Sequence, residues 1–177
     1  MSGHSKWSTI KHKKELTDKK RGQVFSKLSK LITIAAKDGP DPETNSKLKT
    51  AIEKAKELNL PSENIERAIK RAGEKDRAQL ETLLIETISP LGVILLIEAI
   101  TDNKNRTVAE IKNILSENKF KMVGPGNLLW QFDRIGREFI PKTTIEISDE
   151  TKIKLKALFE KLDEHDDIEE IYSNVTI

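Results

Sequence analysis

The hydrophobic period of this chain changes once, near residue 80, and that change restricts the folds open to it. From Val24 to Ala72 apolar residues recur every three to four positions, the period of half-buried helices. Residues 23–37 place Val24, Leu28, Leu31, Ile32 and Ala35 on one stripe, and Asp38-Gly39-Pro40 stops it. A second helix is predicted from Asp41-Pro42-Glu43, with Asp41 as N-cap, Pro42 in the first helical position, and Leu48, Ala51, Ile52, Ala55 and Leu58 inward. A third is predicted from Pro61-Ser62, with Ser62 as the cap and Ile65, Ala68, Ile69 and Ala72 buried. It ends at Gly73, behind Lys70 and Arg71, where cations suit a helix C-terminus. Three short helices with short turns form a small bundle. Residues 2–20, ahead of them, read as a polar, basic arm punctuated by Trp7, Ile10 and Leu16.

Beyond residue 80 the pattern is that of strands alternating with helices. Residues 81–88 are rich in Leu and Ile, and 92–100 are β-branched and apolar behind the Pro90-Leu91-Gly92 turn. Residues 105–117 form a helix with Val108, Ile111, Ile114 and Leu115 inward. After a Gly124-Pro125-Gly126 turn, strands are predicted over 127–134 and 138–147, the latter interrupted near Pro141. Ser148-Asp149-Glu150 caps a helix with Leu155, Leu158, Phe159 and Leu162 on its core face, and 168–175 close as a strand. The order β-β-α-β-β-α-β predicts an α+β sandwich of about four to five strands and two helices. Two domains follow: 1–75, a basic arm with a three-helix bundle, and 76–177, the α+β domain.

Composition excludes several functions. The 177 residues contain no cysteine, which removes disulfide scaffolds, cysteine-ligated zinc and thiol catalysis. No apolar run approaches the ~18 residues of a membrane span. No hydrophobic region follows the N-terminal lysines, so a cytoplasmic protein is expected. Walker A, G-x-G-x-x-G, G-x-S-x-G and H-E-x-x-H patterns are all missing, and no catalytic residue, metal or cofactor is expected.

The net charge of +2 hides a segregation. Residues 1–37 hold ten Lys/Arg against two Asp/Glu, whereas residues 143–177 hold four against ten. A basic head of this kind points to an anionic partner. His4, Lys6, Trp7, Lys11, His12, Lys13, Lys14, Lys19, Lys20 and Arg21 fall within eighteen positions. Lys20, Lys27, Lys30 and Lys37 share one flank of the first long helix, at about 100° per residue. Lysines and arginines neutralise phosphates without reading sequence, and Trp7 suits stacking on a base. The competing reading is a solvated basic tail with Trp7 plugging the bundle. His4 and His12 are too few ligands for a metal site and read as polar contacts.

Thr101 to Thr107 follow a strand and open a helix, whose free N–H groups form an anion site, with Asn103, Asn105, Arg106 and Thr107 as candidates. The alternative, favoured by spacing, is a turn in which Asp102, Asn103 or Asn105 caps the helix. The acidic run Asp163-Glu164-His165-Asp166-Asp167 lacks the shaped loop of a calcium site and reads as a solvated face. The alternative reading is that the acidic domain repels phosphate and restricts it to the head.

The opening Gly3-His4-Ser5-Lys6-Trp7, with Ile10-Lys11-His12 and Lys20-Arg21-Gly22, closely resembles the start of the YebC/PmpR family. The likeness continues through Ala35-Ala36-Lys37-Asp38-Gly39 with Asp41-Pro42-Glu43, Asn64 to Arg71 and Thr101 to Val108, and ends at Ile171-Tyr172-Ser173-Asn174. That family comprises transcriptional regulators and mitochondrial translational activators of cytochrome oxidase. The resemblance implies a helical domain followed by two α/β domains, the third inserted within the second. Between Arg134 and Ser148 only a short connection stands here, which implies a short form without the inserted domain near 135–147. The implied function is non-enzymatic: a nucleic-acid-binding factor, either a transcriptional regulator on DNA or a translation factor on the ribosome touching ribosomal RNA or tRNA.

Overall fold

The computed structural model describes residues 18–74 and 79–176. They divide into two compact units, one drawn from Glu15–Thr82 with Ile100–Asn103, the other from Leu83–Ala99 with Lys104–Ile177.

The helical unit contains α1 (Asp18–Ala36), α2 (Ser46–Glu57) and α3 (Ser62–Arg71). Leu28, Ile32 and Ala35 of α1 meet Leu48, Ala51 and Ala55 of α2 and Ile65 and Ala68 of α3 in one core. Val24, Leu31, Ile52, Ile69 and Ala72 pack at its margin, so the predicted stripes hold. The boundaries differ in three places. First, α1 begins five residues earlier than its stripe indicated, at Asp18.

Second, α2 begins at Ser46, not at Asp41. Asp41 instead closes a local turn: its carboxylate accepts from Glu43 N at 3.0 Å and its carbonyl from Asn45 N at 3.0 Å. Asn45 is the N-cap, and its buried side chain has two tasks. Oδ1 accepts from Leu48 N at 3.1 Å, and Nδ2 donates to the carbonyls of Ala35 and Gly39, each at 2.7 Å. One asparagine therefore caps α2 and satisfies carbonyls at the end of α1. Leu58, expected inside, is 41% exposed because it is the C-cap. Third, α3 has Pro61 as N-cap with no side-chain cap bond, and Ser62 is its first helical residue. Thr33 in α1, also buried, donates through Oγ1 to Ala68 O in α3 at 3.0 Å.

The α+β unit is a four-stranded sheet of order β3-β1-β2-β6, from β1 (Glu81–Ile88), β2 (Ile94–Thr101), β3 (Lys121–Val123) and β6 (Ile168–Ser173). β3 runs antiparallel to β1, and β6 antiparallel to β2. Helices α4 (Lys104–Glu117) and α5 (Asp149–Asp163) contribute Ile111, Leu115, Leu155, Leu158, Phe159 and Leu162 to one core. Leu95, Ile97 and Ala99 of β2 face that core. Its alternate residues Ile94 and Leu96 pack in a second core with Leu128, Phe132, Phe139 and Tyr172. The second core is closed by the hairpin of β4 (Phe132–Ile135) and β5 (Glu138–Pro141). Burial on both faces explains why residues 93–97 read as a continuous apolar run.

The expected α+β class holds, and among the described residues it has six strands in two sheets where four to five were expected. The addition is β3, whose three residues are too short for a period to emerge. The strand predicted over 127–134 begins only at Phe132, after a 3₁₀ turn at Leu129–Gln131. The cause is Glu86, a buried carboxylate in β1 that accepts from Gly126 N, from Leu128 N at 2.6 Å and from Leu129 N at 3.2 Å. Three converging N–H groups curl the chain around the carboxylate, and Gly126 takes φ +82, which its lack of a Cβ permits. Ser148 caps α5 as predicted, accepting from Thr151 N at 3.3 Å.

Candidate nucleic-acid interface

α1 is the element that orders the candidate cations. Lys20, Lys27 and Lys30 lie seven and three residues apart, which puts them on one flank beside the buried stripe. Lys20 and Arg21 are exposed, while Lys27 and Lys30 are half-buried. Arg21 is paired with Asp18 at 3.5 Å, an exposed contact of small energetic weight. Lys20 and Arg21 occupy the first turn of the helix, and the side chain of Lys19 lies outside what the structure describes. Cations there oppose the helix dipole, each at a cost of about 0.3–1 kcal/mol, so local stability does not account for them. His4, Lys6, Trp7, Lys11, His12, Lys13 and Lys14 lie outside the described residues.

The second candidate site, at the start of α4, has a different geometry from a free anion cradle. Thr107 Oγ1 donates to Asp167 Oδ2 at 2.6 Å, and Arg106 Nη2 donates to the same oxygen at 2.8 Å. Asp167 is buried, so an anion does sit beside the first turn of this helix, and the chain itself supplies it. His165 extends the cluster: its Nδ1 accepts from Asp167 N at 3.1 Å, which leaves Nε2 to face Glu110 Oε2 at 2.9 Å. Asn103 N donates to Thr101 Oγ1 at 2.9 Å, closing the turn before the helix, and Asn105 is exposed. The acidic run is thus partly interior. Sequence periodicity carries no signal for an ion pair spanning sixty residues.

The closing Tyr-Ser-Asn block is structural. Asn174 Oδ1 accepts from Ile94 N at 2.8 Å and Nδ2 donates to Gly92 O at 3.0 Å, so one buried side chain secures the start of β2. Tyr172 is buried edge-on against Phe139, and its hydroxyl lies 3.2 Å from Arg137 O and 3.3 Å from Glu98 Oε2. Burial, then the charges of Glu98 and Glu170, hold its phenol well above the ordinary tyrosine range. Among the described residues no group of His, Asp and Glu is disposed to hold a metal. No described helix is long and apolar enough to cross a membrane.

The described residues thus form a helical bundle with a cation-bearing first helix and an α+β unit that carries several buried polar locks. Comparison with known proteins narrows the class. The TACO1/YebC protein N-terminal domain matches residues 5–75, and the TACO1/YebC second and third domain matches 80–138 and 136–175. The chain belongs to the TACO1/YebC family. The probable transcriptional regulatory protein TTE1135 of Caldanaerobacter subterraneus is 39% identical over 240 aligned positions, covering 100% of this chain and 99% of that protein. A probable transcriptional regulatory protein of Halothermothrix orenii is 48% identical over 160 positions, which span 89% of this chain and 63% of that one. The crystal structure of a conserved hypothetical protein, Aq1575 from Aquifex aeolicus, superposes with a TM-score of 0.85 at 30% identity, over 96% of each chain.

Proposed function

We propose that this chain is a nucleic-acid-binding regulator of gene expression, acting on DNA as a transcriptional regulator through its basic N-terminal domain. The observation that carries the reading is the segregation of charge: ten Lys/Arg against two Asp/Glu in residues 1–37, of which Lys20, Lys27 and Lys30 share one flank of α1. The relatives' description as probable transcriptional regulatory proteins supports it. Phosphate neutralisation supplies the affinity and base readers are few, so sequence preference is low. The working compartment is the cytoplasm, with no enzymatic step and no cofactor.

We infer further that this is a short form of the family. The two stretches matching the second-and-third-domain model meet at residues 136–138, where β4 turns directly into β5 through Gly136 at φ +62. The alignment with the Caldanaerobacter relative extends over 240 positions against 177 residues here. The domain missing near 135–147 is the residue of that difference.

Charge reversal at Lys11, Lys13 and Lys20 tests the head. It should weaken binding and flatten the dependence of affinity on salt by close to one unit of log–log slope per lost contact. An unchanged slope refutes the basic-head reading. Crosslinking in cells then separates the targets. Enrichment at promoters supports transcription, whereas ribosome co-sedimentation that survives DNase and fails in the head variant assigns the surface to ribosomal RNA or tRNA.

A further inference from the structure

We propose that the groove between α1 and α3 binds an unpaired stretch of nucleic acid. The proposal rests on the nucleic-acid reading above and adds to it an adjoining surface that shares Lys30 with the basic flank. The groove is open to solvent along one side and offers about 960 Å³ within the helical unit. That is the top of the range for pockets that take a drug-sized ligand, about 300–1,000 Å³, and leaves room for more than one nucleotide. Lys30 and Lys37, two turns apart, line the α1 wall, and Arg67 and Arg71, one turn apart, line the α3 wall. The walls are held together at the floor by the bond from Thr33 Oγ1 to Ala68 O. Four cations thus face one channel, against Glu74 and Asp102 among the lining residues.

Two details select a single strand over a duplex. Phe25 lines the same channel: it packs against the bundle core at the margin and stays half-buried, so part of it faces the channel. Cations that track a backbone, combined with an aromatic ring on which a base stacks, form the arrangement that binds single strands without sequence preference. The second detail is concavity. A duplex is read by an element that projects into its groove, and a cleft between packed helices projects nothing. Arg67 is held by Glu63 at 2.7 Å, an exposed i,i+4 pair that orients the guanidinium without burying it. Lys37 donates to Leu80 O at 2.6 Å and keeps its positive charge in the channel.

The test uses the full chain and three fluorescein-labelled probes: a short oligouridylate, an oligothymidylate of the same length, and a DNA duplex of that length. Anisotropy titrations at several KCl concentrations give affinity and salt slope. The Arg67→Gln/Arg71→Gln variant should bind both single strands more weakly, with the slope reduced by about 0.7 per lost contact. Phe25→Leu should weaken single-strand binding about five-fold or more while leaving the duplex unchanged, and Phe25→Tyr should retain it. Thermal melts confirm that each variant is folded. Single-strand affinity and slope unchanged in the double arginine variant overturn the proposal. So does equal weakening of single strand and duplex by Phe25→Leu. Loss confined to a Lys11, Lys13 and Lys20 reversal removes the groove and leaves the basic-head reading intact. Failure of the unmodified chain to bind any probe removes both.

Discussion

Removal of the Glu86 carboxylate should cost the α+β unit a large share of its stability, and the structure sets the size. Glu86 accepts three backbone N–H groups from residues 126–129. Hydrogen bonds to a charged acceptor are worth about 1.5–3 kcal/mol each. Gly126 is exposed and Leu129 half-buried, so water replaces much of what those two amides lose; Leu128 is buried and finds no substitute. Glu86→Ala should therefore lose about 3–5 kcal/mol, against a total of about 5–15 kcal/mol for a typical domain. The loop reports on itself, because Trp130 lies in the turn and donates through Nε1 to Asn127 O at 2.9 Å. The chain has two tryptophans, so a Trp7→Phe background leaves Trp130 as the sole emitter. Urea unfolding followed by its fluorescence should show the midpoint falling by about 2 M, for a slope of about 1–3 kcal/mol per M. Glu86→Gln should fall between, since one oxygen still accepts while its amide group confronts an N–H donor. A loss below about 1 kcal/mol in Glu86→Ala, or a glutamine variant worse than the alanine one, would refute the assignment of the turn to this carboxylate.

Three further outcomes follow from other contacts. Asp167→Ala leaves the buried Thr107 hydroxyl without its 2.6 Å acceptor and should destabilise the α+β unit by about 1–3 kcal/mol in chemical denaturation. The single tyrosine gives a clean pH signal: Tyr172 has a raised folded-state pKa, so its contribution to stability is complete below the unfolded value of about 10 and is lost as pH rises above it. Phenolate absorbance should then appear together with unfolding and not before it. Lys47 bonds to Asp38 at 2.7 Å and holds that carboxyl below its ordinary value; its contribution is present above the unfolded pKa and lost as pH falls through the folded one. In Lys47→Met the Asp38 titration, followed by carboxyl NMR shifts, should return to the ordinary range.

What the sequence alone determined is what repeats locally. The apolar stripes of α1, α2 and α3, the Ser148 cap, the core face of α5 and the apolar run of β2 all follow from period and neighbouring residues. The segregation of charge is a property of composition along the chain and needs no fold. Tertiary structure decided the polar locks. Asn45 displaced Asp41 as the cap of α2 because its side chain also reaches Ala35 O and Gly39 O, a gain invisible from residues 41–46 alone. Glu86 turned a predicted strand into a 3₁₀ turn from some forty residues away, and Asp167 engaged Arg106 from the far end of the unit. Arg67 and Arg71 read as ordinary helix-surface charges until α1 was laid beside them, and only then did they line a channel with Lys30 and Lys37. The physical reason is the same in each case. Burial of an apolar face is non-directional and leaves its mark as a period, whereas a hydrogen bond or an ion pair needs one particular partner, and packing alone brings that partner within reach.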